Sequence, residues 1–449
     1  MSGSQKNVAA ESRVARSLEL LEKAKRLIPK ETQLITRHPT RNALGVSPIY
    51  AERAEGCRFW DVDGHEYIDM HSGTGVISLG YCVEEIDQAA REQLAKGIVY
   101  AVNSPLELEL AELFVEAIPS AEMVRYVKGG GEADCLAVRI ARGYTGRDKV
   151  AFCGYHGWHD WYLAANLLDD EALNAHLLPG VPTKGVPQAL KGTTLPYKYN
   201  DLDSLRSVLE NNRGEMAAII LEVCRASKPE EGFLEGVREL ADEHEAVLIF
   251  DEVVTGFRMA RGGAQEYFGV TPDITALGKA VANGYPLAAV VGKAEVMSAV
   301  EDMFVSSSNW SEAVSLAAGI AIQKFMKRNK FVEHVWEIGK YYQEGLRRIC
   351  SDVGLSINFH GYPPVSGFDF GMPDSEAVNT LLIQEFAKRG VHGGGHSYMM
   401  YALKKSDIDE VLAAFKEIAA ILKKGIDDNR VEELLEAPVA RMVFPRRMV

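Results

Sequence analysis

Between residues 123 and 292, short apolar runs alternate with helix-like ones, and that order limits the possible folds more than any other feature of the chain. "MVRYVK" is followed by the helical "EADCLAVRIARGY", then by "KVAFCG", "AAIILEVC", the helical "FLEGVRELADEHE", "AVLIFDEV" and "LAAVVG". Strands joined through helices run parallel, because each crossover returns the chain to the edge where the next strand starts. The fold class is therefore expected to be α/β, a mostly parallel sheet with helices on both faces.

The flanks read differently. "SLELLEKAKRLI" (17–28) has apolar residues at helical spacing until Pro29 stops it, and "GCRFWDVDGHEYIDM" (56–70) reads as a hairpin turning at Asp63-Gly64. From about residue 320, "AAGIAIQKFMKR", "KFVEHVWEIGKYYQEGLRRI" and "DIDEVLAAFKEIAAILKK" are amphipathic helices of a separate C-terminal domain. A chain of 449 residues suits a large domain with a smaller companion. Its 49 basic and 63 acidic residues leave a formal charge of −14, which argues against a nucleic-acid surface or an anionic membrane and leaves a small molecule as the expected partner. The six cysteines form no Cys-x-x-Cys pair, and "MSGSQKNVAAESR" lacks the apolar core of a signal peptide, so a cytoplasmic location is expected.

Ligands of an open parallel sheet lie beyond the carboxyl ends of its strands. "AVLIF" ends in Asp251 and Glu252, and "AAIIL" ends in Glu222, so these acids could face one crevice. In "YVKGGGEADCLAVRIARG" a strand leads through Gly129, Gly130 and Gly131 into a helix with the apolar side Ala133, Leu136, Ala137 and Ile140. Backbone N–H groups at such a turn suit a phosphate, although neither a P-loop nor a dinucleotide fingerprint is present. "GYHGWHDWY" gathers Tyr155, His156, Trp158, His159 and Asp160. An aromatic ring there could stack on a planar ligand. The His156, His159 and Asp160 set could suggest a metal, but no further ligand cluster stands out and none is expected. Finally, "DITALGKAVANGYP" sets Lys279 among small and apolar residues. A partly desolvated amine of that kind can attack a carbonyl to form a Schiff base. A phosphate cradle, an aromatic plate, a strand-end carboxylate and this lysine together fit pyridoxal phosphate.

With these residues in place, the chain resembles the fold-type I, class III pyridoxal-phosphate aminotransferases, and within them the glutamate-1-semialdehyde aminomutase-like branch. The likeness runs from "LIP" (27–29) through "DVDGHEYIDM", "SPLELELAELFVEAIPSAEMVRYV" and "LIFDEVVTGFR" to "LGKAVANGYPLAAVVG". It implies a seven-stranded large domain over residues 76–320, with an N-terminal arm and hairpin (1–75) and a C-terminal segment (321–449) supplying a smaller α+β domain. It implies that Lys279 is the Schiff-base lysine and proton shuttle, and that Asp251 pairs with the protonated pyridine nitrogen. Val253 and Tyr155 would take the two faces of the ring, Gly130 and Gly131 would offer N–H groups to the phosphate, and Glu222 would belong to the cofactor site. Ser308 in "SSSNWSEA" stands where the family has a threonine that completes the neighbouring subunit's phosphate site, which implies a homodimer with shared sites.

The chain departs from the family pattern at Gly129-Gly130-Gly131, where serine-glycine-threonine is usual, at Ser311-Glu312 in place of glycine-asparagine, and at Val223 in place of proline. These changes bear on the substrate more than on the cofactor. Arg37 lies near the position that holds the substrate carboxylate in the semialdehyde enzymes; Arg41 or Arg225 could serve instead, and "HGGGHSYMM" (392–400) is expected to form a loop near the pocket. The expected activity is transfer of an amino group between an amine or amino acid and a carbonyl acceptor. The alternative is an aminomutase or an amino-acid epimerase on the same scaffold.

Overall fold

A computed structural model describes residues 12–224, 228–372 and 375–441. They divide into two compact units, one formed by the chain up to Val83 together with the chain from Glu333 onward, the other by Glu84–Val332.

In the first unit, strands Ala51–Glu55 (β1), Arg58–Asp61 (β2) and Glu66–Asp69 (β3) form an antiparallel meander. The β2–β3 turn is fixed by its own residues. Asp61 accepts the Asp63 and His65 N–H groups at 3.0 and 2.8 Å, and Gly64 takes the positive φ of 91° that the turn requires.

The second unit is organised by a sheet of seven strands: Met123–Val127 (β4), Lys149–Cys153 (β5), Thr194–Pro196 (β6), Met216–Glu222 (β7), Val247–Asp251 (β8), Ile274–Leu277 (β9) and Ala288–Gly292 (β10). Their order is β4-β10-β9-β8-β7-β5-β6, and β10 alone runs against its neighbours. The strands β6, β5, β7, β8 and β9 are parallel, as the alternation in the sequence requires. Covered on both faces, β7 and β8 read as unbroken apolar runs. Leu248, Ile249 and Phe250 are fully buried, each contributing about 1.5–3 kcal/mol of apolar burial. The helix Gly130–Thr145 lays Ala133, Leu136, Ala137 and Ile140 onto this sheet, the four residues its periodicity selects. Because β7 and β8 are parallel and in register, Glu222 and Asp251 become direct neighbours at their carboxyl ends.

In its C-terminal part the first unit contains more strand than the helical periodicity of that stretch announces. Asn358–Tyr362 (β11) and Val365–Asp369 (β12) form a hairpin. Val391–His392 (β13) pairs parallel to β3, and His396–Tyr398 (β14) joins β12. The "HGGGHSY" stretch thus supplies two short strands separated by glycines. The long helices Phe331–Val353 and Lys405–Asp427 are formed as the sequence suggests.

Candidate active site

The carboxyl ends of the parallel strands in the second unit draw most of the expected residues together. Asp251 closes β8 and is 5% exposed. Its Oδ1 accepts the Val253 N–H at 3.0 Å, and its Oδ2 lies 2.8 Å from His156 Nδ1. His156 is fully buried, and its other ring nitrogen faces the Cys153 carbonyl at 3.2 Å. Both nitrogens therefore face oxygen acceptors, and the shorter contact to the stronger, carboxylate acceptor favours the tautomer whose Nδ1–H donates to Asp251.

Glu222, at the end of β7, accepts the Tyr155 N–H at 2.9 Å. That contact needs the glycine before it, since a Cβ on Gly154 would lie 2.9 Å from Glu222 Oε2, and Gly154 has a φ of 113°. Tyr155 is partly exposed, with Tyr162 edge-on to its ring at 6.2 Å.

The glycine turn is close beside these residues. A Cβ on Gly130 would stand 2.6 Å from Val253 Cγ1, and one on Gly278 would stand 3.2 Å from the same atom and 3.4 Å from the Gly130 Cα. Gly130, Val253 and Gly278 therefore pack together, which puts Lys279, the residue after Gly278, beside the glycine turn. Gly131 abuts Gly157, where a Cβ would have 3.1 Å. Lys279 is partly exposed and holds a φ of 45°, a left-handed conformation that costs a non-glycine residue roughly 1–2 kcal/mol. Strain of this kind concentrates where function fixes the backbone.

The helix that starts at Gly130 has no side-chain cap, so its first N–H groups remain open to an anion. The turn before it is braced. Lys128 N–H donates to Glu132 Oε2 at 2.8 Å, Trp310 Nε1–H donates to Glu132 Oε1 at 2.9 Å, and the Lys128 ammonium pairs with Glu312 at 3.2 Å. Glu312, one of the departures from the family pattern, also caps the helix Ala313–Arg328 by accepting the Val314 N–H at 2.7 Å.

Not every expected residue joins this group. Ser308 stands on an exposed segment after Phe304. Arg37 belongs to the first unit, at the exposed end of a single 3-10 turn, where its charge acts on Tyr81 and His392. Arg41 is partly buried, and burial lowers its pKa from the ordinary arginine value. Arg225 lies outside the described residues.

Sequence reasoning treated His156 only as a possible metal ligand and passed over Asp134 altogether. Asp134, on the first turns of the helix Gly130–Thr145, is 2% exposed. One oxygen each from Asp134 and Asp251 and a ring nitrogen of His156 lie within 4.8 Å of one another. The signal was there to read: a helix with Ala133, Ala137 and Ile140 on its sheet side sets residue 134 at the edge of that face, where an acid calls for an explanation.

A family model for class III aminotransferases matches residues 41–419. The chain is 35% identical to the 3-aminobutyryl-CoA aminotransferase of Cloacimonas acidaminovorans, over 93% of this chain and all of the relative. It is 39% identical to the glutamate-1-semialdehyde 2,1-aminomutase of Alkaliphilus oremlandii, over 91% and 99% of the two chains. Among solved structures, the FumI protein of Sphingopyxis sp. MTA144, in its PLP internal aldimine form, superposes with a TM-score of 0.84 at 26% identity, covering 95% of this chain and 99% of that one. An omega-transaminase from Sphaerobacter thermophilus gives 0.81 at 27% identity over 93% and 100%. The family model spans most of the chain, the relatives match at 35% and 39% identity over nearly their whole length, and the chain belongs to the class III aminotransferases.

Proposed function

We propose that this protein binds pyridoxal phosphate and moves an amino group between an amine or amino-acid donor and a carbonyl acceptor, with Lys279 and Asp251 as its catalytic residues. The observation that carries this reading is the convergence of Lys279, the uncapped glycine turn and the buried Asp251 at one end of the sheet.

The residues fit the cofactor. The open N–H groups of Gly130 and Gly131 suit a phosphate. Asp251, a buried acceptor backed by His156, suits a protonated ring nitrogen. When bound, pyridoxal phosphate supplies an aldehyde for amines and a protonated ring that accepts the electron pair left at a substrate carbon. Lys279 Nζ would hold the cofactor covalently, and its free amine would carry the proton that leaves the substrate carbon. Asp251 would hold the ring-nitrogen proton as an ion pair. Val253 and Tyr155 orient the ring, and Glu222 fixes Tyr155 through its backbone N–H. Arg37, with Arg225 as the alternative, would receive a substrate carboxylate.

The protein works in the cytoplasm as a homodimer in which Ser308 completes the partner's phosphate site. Two observations support assembly: Ser308 is exposed within its own chain, and Ile98, Val102, Leu108 and Phe304 of the same unit are exposed apolar side chains. No helix of the described residues is long and apolar enough to cross a membrane, and all six cysteines are unpaired.

Relatives named as 2,1-aminomutases favour a second reading, an isomerase that needs no separate acceptor. Borohydride reduction followed by peptide mass spectrometry tests the cofactor assignment: the adduct is expected on Lys279, and attachment elsewhere would sink it. Donor turnover with and without a keto acid then separates transferase from mutase.

A further inference from the structure

Asp134 is the buried acid that the proposed mechanism leaves without a task. It contrasts with another buried acid close by in sequence to Asp251. Glu252 is fully buried, and its carboxylate accepts four hydrogen bonds, from Ala264 N–H, Gln265 N–H, the Gln265 side-chain amide and the Thr255 hydroxyl. Burial raises its carboxyl pKa, and those four donors oppose the rise. Asp134 has no comparable set. Its Oδ1 is buried without a hydrogen-bond partner, and its neighbours include the carboxylates of Asp251 and Glu222. Lys279 is the cation that acts on it, and His156 completes the ring of titratable groups around it.

Two buried carboxylates whose oxygens lie within 4.8 Å resist being ionised together, and the proton goes to the one with fewer donors. Asp251 has the Val253 N–H and His156; Asp134 has neither. We propose that Asp134 is an un-ionised carboxylic acid at neutral pH and that its O–H donates to Asp251, making it a positioning residue for the acid that meets the cofactor ring. Burial, followed by the charges of Asp251 and Glu222, pushes the Asp134 carboxyl well above the usual range, while Lys279 opposes the shift. The donated bond does two things. It orients the Asp251 carboxylate together with His156, and by stabilising its anionic form it limits how strongly Asp251 withdraws a proton from whatever it faces.

The state of Asp134 belongs to the folded chain whether or not cofactor is bound, so its failure and a failure of the cofactor reading are distinguishable. The first measurement needs no variant: protein labelled with 13Cγ-aspartate, free of cofactor, is titrated by NMR. One buried aspartate is expected to keep its un-ionised shift through neutral pH; if every aspartate is ionised there, the proposal is overturned. Infrared spectroscopy should show the carbonyl stretch of an un-ionised acid in the wild type and not in Asp134→Asn, and a band unchanged by that substitution would also overturn it.

Stability gives an independent check. With its folded pKa above the unfolded value of 3.8, Asp134 keeps a proton that the unfolded chain releases, so its contribution to stability falls as pH rises above that value. Asp134→Asn should therefore be more stable than wild type at neutral pH and lose that advantage as pH falls toward 4; parallel pH profiles would count against the proposal. In the loaded protein, Asp134→Asn retains a donor and should leave the pH transition of the bound chromophore close to wild type. Asp134→Leu removes the donor and should shift the transition by about one pH unit, or tenfold in the proton equilibrium. Equal behaviour of the two variants would assign Asp134 no role through Asp251.

Discussion

Two strand-end aspartates, one in each unit, show how the same placement leads to different work. Asp251 closes β8 and Asp69 closes β3; both are buried and both accept several hydrogen bonds. Asp69 is met by the backbone N–H groups of His71 and Gly73, at 2.8 and 3.0 Å, and by the Tyr81 hydroxyl at 2.7 Å. None of these exchanges a proton near neutrality, so Asp69 fixes a turn. Asp251 is met by one backbone N–H, an imidazole and a second carboxyl group. Two of those three can gain or lose protons. A buried carboxylate surrounded by fixed donors is a structural tie, whereas one surrounded by titratable groups can hold a proton for chemistry.

The strongest test of that contrast removes the amine proposed to anchor the cofactor that Asp251 would serve. Lys279→Ala should lower turnover by at least roughly 10⁴-fold, since it loses both the covalent anchor and the proton carrier, with thermal stability near wild type because the side chain is partly exposed. Assays paired with thermal melts check both parts. Exchanging the two aspartates in turn sharpens the comparison. Asp251→Asn should slow turnover by roughly 10²–10³-fold with cofactor still bound, because a neutral amide does not hold the ring proton as an ion pair does. Asp69→Asn should instead cost about 1–2 kcal/mol of stability, through donors left poorly matched, with a smaller loss of activity. If both variants lost activity alike, the distinction between tie and proton holder would fail.

How far the sequence allowed this to be seen differs between the units for a physical reason. Parallel strands buried on both faces must be apolar throughout, so β7 and β8 and the acids that end them stand out in the text of the chain. The β2–β3 hairpin is equally legible, since Asp63-Gly64 is a local signal. β11 to β14 are not. "HGGGHSY" carries no period, and its strands exist because β3 and β12 offer edges that lie far away in sequence. The motif sets Lys279 and Asp251 apart in the text of the chain, while the proximity of Asp134 to Asp251 depends on how a helix rolls against the sheet, which spacing alone leaves open.

A fourth substitution tests whether the Asp251 site, unlike the Asp69 cluster, is completed by a second chain. Ser308→Ala should weaken cofactor binding by about 1.5–3 kcal/mol, or ten- to a hundredfold in Kd, because the phosphate loses a hydrogen bond to a charged acceptor. Diluting the wild type until it dissociates should release cofactor in step, as followed by sedimentation and absorbance on one concentration series. A monomer that retains its cofactor would show the site to be complete within one chain.

The smallest expected effect concerns the imidazoles around Asp69. His71 and His392 stand edge to face, with ring centroids 5.0 Å apart, and Phe59 meets His392 in the same manner at 5.3 Å. Burial first, and then the charge of His392, lowers the pKa of His71 from 6.5 to about 4, with His396 adding to the shift and Asp69 opposing it; burial lowers that of His392 as well. The sign follows from proton counting. Between pH 6.5 and about 4 the unfolded chain binds a proton at residue 71 that the folded chain does not, so the stability His71 contributes is present above that window and lost as pH falls through it. The full shift corresponds to roughly 3 kcal/mol, and partial exposure of the side chain reduces this to about 1–2 kcal/mol. His71→Phe keeps a ring at the contact but cannot take up the proton. Its melting temperature should therefore decline less than that of the wild type as pH falls across the window, whereas the Asp251 site should respond to pH through the spectrum of its cofactor. Matching profiles for wild type and His71→Phe would mean that His71 takes up its proton in the folded chain over the same range as in the unfolded one, and the cluster around Asp69 would then have to be regarded as a second proton-exchanging site.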